Sequence, residues 1–257
     1  MIGGVLLDLS GVIYVGDHAL PGAIDALGRL RRTGLPLRFL TNTTRSPKSG
    51  ILARLHGMGM TIGEDELFTP AQAACDYLAA NDLTAHLLIH PNLAEDFAGL
   101  SGQGGAAVVI GDAGEAFTYD RLNTAFRLLI GGAEFLALAA NRSFKDRDGE
   151  LSMDAGAFVT ALEFASQGKA RVLGKPAPAF FAAALASIDC PADRAVMVGD
   201  DAEADVSGAL AAGLASALLV RSGKYQAGDE DRVDPRPTAV VDDFAAAVAW
   251  ITSHQGP

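Results

Sequence analysis

Four predominantly apolar runs of strand length, two of them carrying an arginine (Arg38, Arg171), stop abruptly on polar or charged residues. They are Val5-Leu6-Leu7 before Asp8, residues 35–40 before Thr41 and Asn42, residues 170–173 before Gly174-Lys175-Pro176, and residues 195–198 before Gly199-Asp200-Asp201. Short continuous apolar runs are how strands buried on both faces of a parallel sheet read. Helix-like stretches lie between them, as the crossovers of a doubly wound sheet require. Ligand chemistry in such sheets gathers at the carboxyl edge of the strands, so parallel winding is expected to bring all four polar endings to one edge.

Residues 21–33 carry Ile24, Leu27 and Leu30 at helical spacing and stop at Gly34. Residues 43–58 and 69–81 read as two further helices. From about Asp82 the pattern restarts. Strand candidates at 85–89, 106–110 and 134–140 are separated by helical stretches at 93–100 and 118–130, and a helix at 154–166 leads back to strand 170–173. The fold class expected is α/β: a doubly wound, Rossmann-like parallel-sheet core of residues 1–81 and 171–257, with a smaller α/β domain, 82–170, inserted into it.

A formal net charge of -11 argues against nucleic acid and against an anionic membrane surface as partners, because both need clustered Lys and Arg. A small anionic substrate stays compatible, since a local site can be positive on an acidic protein. Cys75 and Cys190 lie in apolar surroundings without C-x-x-C spacing, so neither a disulfide nor a zinc site is expected. The N-terminus has no basic region ahead of its apolar run, and no stretch approaches the roughly 18 apolar residues of a membrane span. The expected location is the cytoplasm.

Each polar ending has an unremarkable account by itself. Asp8 could form a turn, Lys175 could lie on the surface, and acidic residues such as Asp200, Asp201 and Asp205 favour the start of a helix. The combination is more informative. Carboxylates gathered at one edge raise one another's pKa unless a cation sits among them. Hard oxygen ligands of this kind suit Mg2+. With Lys175 and the hydroxyl-amide pair Thr41 and Asn42 beside the metal, the edge becomes a phosphate cradle. The chemistry suggested is phosphoryl transfer to a carboxylate, with an aspartyl-phosphate intermediate split by water. Residues 141–149, which include Asn141, Arg142, Lys145 and Arg147, form a basic loop in an acidic chain. That loop reads either as substrate-facing or as a solvated connection.

In order and kind, the stretches Asp8-Leu9-Ser10-Gly11-Val12, Leu40-Thr41-Asn42, Gly174-Lys175-Pro176 and Gly199-Asp200-Asp201 with Asp205 resemble the four motifs of the haloacid dehalogenase superfamily of Mg2+-dependent phosphohydrolases. The insertion is similar to that superfamily's larger α/β cap. Leu87-Leu88-Ile89-His90 and Gly111-Asp112-Ala113-Gly114-Glu115 add a likeness to its phospholysine, phosphohistidine and inorganic pyrophosphate phosphatases. The resemblance implies Asp8 as nucleophile, with Asp8, Asp200 and the main-chain carbonyl of Ser10 holding Mg2+. It implies Thr41, Asn42 and Lys175 around the transferring phosphoryl group, and Asp201 or Asp205 orienting Lys175 or a metal-bound water. Asn141, Arg142 and Lys145 are the candidate substrate contacts of the cap.

One position departs from the common pattern. The second residue after the nucleophile is usually an Asp that serves as general acid and base, and here it is Ser10, which is not ionised near neutral pH. The implied substrates are phosphoramidates, pyrophosphate or related small phosphorylated compounds. A sugar or nucleotide phosphoester phosphatase, and a weakly active binding or regulatory member, remain alternatives. Association into a homodimer is left open.

Overall fold

The computed structural model describes residues 1–145 and 150–255. The first strands and helices are β1 (Gly4–Asp8), a hairpin of β2 (Tyr14–Val15) and β3 (His18–Ala19), α1 (Ala23–Arg32), β4 (Leu37–Leu40), α2 (Lys48–Gly57) and β5 (Leu67–Phe68). There follow α3 (Pro70–Ala80), β6 (Thr84–Leu88), β7 (Ala106–Ile110), α4 (Tyr119–Ile130), β8 (Glu134–Ala137), β9 (Ser143–Lys145), β10 (Leu151–Met153), α5 (Ala155–Ser166) and β11 (Arg171–Val172). The chain continues through α6 (Pro178–Ala186), β12 (Ala195–Gly199), α7 (Gly208–Ala211), β13 (Ser216–Val220), β14 (Ala239–Val241) and α8 (Phe244–Ser253). None of the helices among the described residues is long and apolar enough to cross a membrane.

Two compact units emerge. The first comprises 1–41, 51–68 and 175–257. Its sheet is parallel, in the order β14-β13-β12-β1-β4-β5. The chain winds outward from β1 through β4 to β5, then returns on the other side through β12, β13 and β14. Strand order therefore reverses beside β1, and a sheet of this type opens its ligand crevice at such a reversal. Every residue of β1 and β12 is buried, as strands covered on both faces require. Val5, Leu7, Phe39 and Val198 face α1 and α8, which contribute Leu27, Leu30, Phe244 and Ile251. Burying such a side chain contributes about 1.5–3 kcal/mol, so the centre of this sheet is rigid ground for the residues at its edge. Phe180 of α6 packs against Phe68, ring centroids 5.1 Å apart.

The second unit comprises 42–50 and 69–174. Its parallel sheet has the order β11-β8-β7-β6. Ala107 and Val109 of β7 pack with α3 through Ala71, Ala74 and Leu78, while Val108 and Ile110 pack with Ala125 of α4 and with Val159 and Leu162 of α5. This alternation is the period-two signature of a strand between two layers.

The architecture departs from the sequence pattern at four places. The pattern assigns α3 to the first unit, yet its buried face belongs to the core of the second. Residues 170–173 read as a strand of the first sheet, but Arg171 and Val172 pair with Leu136 and Ala137 in the second. Strand length and apolarity do not specify a partner. The helix expected over 43–58 begins only at Lys48, because Pro47 disfavours helical backbone in the residue before it. Residues 93–100 form no α-helix; a 3-10 run, Pro91–Phe97, stands there, with Asp96 accepting the Lys48 N–H at 3.2 Å.

Candidate active site

β1 ends at Asp8, paired in register with Leu40, so Thr41 follows at the same edge. β12 ends at Gly199, and Asp200 comes next. Three of the four polar endings thus share the edge through sheet geometry: Asp8, Thr41 and Asp200, all buried. Lys175 arrives differently, in the turn ahead of α6 rather than at the end of a strand of this sheet. It is nevertheless buried, paired with Asp8 Oδ1, and its Nζ lies 2.6 Å from Asp205 Oδ1.

The electrostatics follow from this packing. Burial alone would pull the Lys175 ammonium down, but the charges of Asp205 and Asp8 outweigh it and hold the group above the usual lysine range. Ligand oxygens of Asp8, Asp200 and Asp205 lie within 4.8 Å of one another, all buried. Burial, then the charges of Asp8 and Asp205, push the Asp200 carboxyl up to about 8. Burial likewise raises Asp205, against the pull of Lys175. One lysine is shared by two carboxylates, and Asp200 is the group that the arrangement leaves short of positive charge. An oxygen-ligated divalent cation fits that deficit.

The sequence leaves open whether Asp201 or Asp205 orients Lys175, and the geometry separates them. Asp205 touches Lys175 and accepts the Asp201 N–H at 3.1 Å. Asp201 caps the following turn through Glu203 N and Ala204 N, at 3.2 and 2.9 Å, and its Oδ2 lies 3.2 Å from Lys224 Nζ. Ser10 is exposed just past β1, where Gly11 N donates to Tyr14 O at 2.7 Å.

The remaining candidates lie in the second unit. Asn42 sits beside Gly174, where a Cβ would come within 2.8 Å of Asn42 Oδ1. Of the basic loop, residues 143–145 form β9, which pairs antiparallel with β10. At its base Asn141 braces α5: its carbonyl accepts Gly156 N at 3.0 Å and its side chain bonds the capping residue Asp154. Arg142 is exposed. Arg147 and the Lys145 side chain lie outside the described residues.

Sequence reasoning missed two clusters. Arg45 pairs with buried Asp112, lies 4.4 Å from the Phe144 ring centroid, and follows Thr44, whose hydroxyl accepts Asp112 N at 3.1 Å. Lys224 donates its main-chain N–H to Asp200 Oδ2 at 2.7 Å. Both are surface-type residues in polar loops, and only the pairing of distant segments gives them a role.

The haloacid dehalogenase-like hydrolase model matches residues 5–103, and a second model, HAD-hydrolase-like, matches residues 172–247. Haloacid dehalogenase-like hydrolase domain-containing protein 2 of Mus musculus is 44% identical over 250 residues, 97% of this chain and 96% of the relative. The chain belongs to the haloacid dehalogenase-like hydrolase family. Phospholysine phosphohistidine inorganic pyrophosphate phosphatase of Homo sapiens is 39% identical over 257 residues, 98% of this chain and 94% of the relative. A glycerol phosphate phosphatase of Mycobacterium tuberculosis, solved in complex with magnesium, has a TM-score of 0.83 at 29% identity, covering 95% of this chain and 76% of that one. The α/β parallel-sheet fold and the enzyme class, a phosphatase-type hydrolase, agree with the motif reading.

Lys175 also has a structural part in this hydrolase, as the partner of two buried carboxylates. Lys175→Met leaves two buried carboxylates without their cation, a change that costs about 3 kcal/mol. Urea unfolding in EDTA should show that loss, and adding Asp205→Asn should recover part of it. An unchanged midpoint for Lys175→Met would show that the pair is not formed in solution.

Proposed function

We propose that the chain is a magnesium-dependent phosphohydrolase that works through an aspartyl-phosphate on Asp8 and favours phosphoramidates, pyrophosphate and aryl phosphates over alkyl esters. The observation that carries this reading is the buried cluster of Asp8, Asp200 and Asp205, in which Lys175 pairs with Asp8 and Asp205. Asp8, Asp200 and the Ser10 carbonyl are the assigned ligands of Mg2+, which when bound supplies positive charge against the phosphoryl oxygens. Asp8 attacks phosphorus, and the bond to the leaving group breaks. Lys175, held by Asp205, offsets charge on the transferring group, while Thr41 and Asn42 donate to its oxygens. Water then cleaves the acyl phosphate and regenerates Asp8. The second unit serves as the cap, with Asn141, Arg142 and Lys145 assigned to substrate choice and Asn141 also bracing the start of α5.

Ser10 sets the preference among leaving groups. General acid and base assistance is worth about 10^2- to 10^4-fold in rate, and a serine hydroxyl does not supply it at neutral pH. Pyrophosphate leaves without much help, and a phosphoramidate nitrogen takes its proton from solvent. Alkyl alcohols suffer most. The human relative named for phospholysine, phosphohistidine and pyrophosphate supports the phosphoramidate and pyrophosphate part of this reading. The relative named for glycerol phosphate supports a second reading, a small-molecule phosphoester phosphatase. Rates measured against leaving-group pKa for wild type and Ser10→Asp separate the two. Wild type should fall more steeply as that pKa rises; equal slopes would favour the phosphoester reading.

A further inference from the structure

Three segments far apart in sequence meet on one oxygen, Asp200 Oδ2. Gly11 has φ +86° and Gly223 has φ +62°, both in the left-handed region that favours glycine. A Cβ on either residue would overlap Asp200 Oδ2, and one on Gly223 would also lie 2.5 Å from the Gly11 Cα. Ser222 Oγ donates to Gly11 O at 2.5 Å, tying this segment to the loop that follows the nucleophile. Lys224 N–H donates to the same Asp200 oxygen at 2.7 Å, and Lys224 Nζ reaches Asp201 Oδ2 at 3.2 Å. Residues 222–224 leave β13, which is hydrogen-bonded to β12, so two neighbouring strand ends deliver both partners of this contact.

A carboxylate at the end of a strand is free to turn unless something fixes it, and groups that orient metal ligands commonly change metal affinity about 10- to 100-fold when removed. We propose that Ser222, Gly223 and Lys224 form a fifth element of the site, whose main chain aims Asp200 and thereby sets magnesium affinity. The Lys224 N–H takes up Oδ2, and the two glycines press on the same atom, so the carboxylate offers Oδ1. Gly223 and Lys224 are positioning residues here, acting through Asp200. The proposal rests on the magnesium reading above and adds a determinant that none of the four motifs contains.

The test is calorimetric titration of the full chain with MgCl2, with no substrate present. Gly223→Ala should weaken binding about tenfold or more, because the added methyl displaces Asp200 and the backbone is strained. Ser222→Ala, which keeps the glycine, should weaken it about threefold. Arg221→Ala, whose guanidinium pairs with Asp242 at 2.9 Å outside this contact, should bind as wild type does. If Gly223→Ala does not fold, Ser222→Ala alone decides, and unchanged affinity there overturns the proposal. So does wild-type affinity in a folded Gly223→Ala, or an equal loss in Arg221→Ala. A wild-type chain that takes up no magnesium would overturn the metal reading itself, an outcome distinct from any of these.

Discussion

Asp8→Asn should give a folded protein whose turnover is lower by about 10^4-fold or more, the scale on which removing a nucleophile is felt. The fold survives because Lys175 keeps Asp205 at 2.6 Å when Asp8 loses its charge, and because β1 is held by its apolar side chains. The chemistry does not survive, since an amide oxygen is a poor nucleophile and a neutral metal ligand. Circular dichroism and thermal melts establish folding, and steady-state rates with 4-nitrophenyl phosphate and pyrophosphate measure the loss. Peptide mass spectrometry after rapid acid quench should find a phosphoryl adduct on the Asp8 peptide of the wild type and none on the variant. Wild-type turnover in Asp8→Asn would rule out the covalent route.

The second large effect couples magnesium to pH. Burial and the charges of Asp8 and Asp205 push the Asp200 carboxyl of the folded, metal-free chain up to about 8, against about 3.9 in the unfolded chain. The folded state therefore binds the extra proton between those values, and the Asp200 contribution to metal-free stability falls as pH rises from about 4 to 8, then levels off. On the proposed magnesium reading the ion has to displace that proton, so its affinity should climb towards tenfold per pH unit up to about pH 8. Titrations at pH 6, 7 and 8, each in buffers of different ionisation enthalpy, measure both the affinity and the proton released. Melts in EDTA across the same range measure the stability slope. Pipetting magnesium into the pH 8 sample should raise the melting temperature by several degrees. Affinity independent of pH would mean that Asp200 is already ionised in the free protein.

Much of the core and of its site is legible from residue order. β1 and β12 are uniformly apolar because both faces are covered, and their ends announce Asp8 and Asp200 by an abrupt change of polarity. Lys175 is legible as a member of the site but not as to its support, because Arg171 and Val172 would satisfy either sheet and the choice is made by pairing with β8. The division between Asp201 and Asp205 depends on where a wide turn, Ala202–Ser207, points its acids, which spacing alone does not fix. Gly223 and Lys224 leave no trace in composition: one acts by lacking a side chain, the other through a main-chain N–H that every residue but proline carries. Arg45 and Asp112 are likewise an ordinary cation and an ordinary acid until the fold brings residues 44–45 and 112 together.

The pairing of β1 with β12 matches Val5 to Val196, about 190 residues apart in the chain. Closing so long a loop gives that contact a high sequence separation, the property that slows folding across single domains. During synthesis β1 leaves the ribosome early and can pair with β4, but its other edge has no partner until Gly199 has followed. The entire second unit is made, and is free to fold, in that interval. Asp8 and Asp200 therefore come together only after the second unit has been made, by a contact that spans most of the chain.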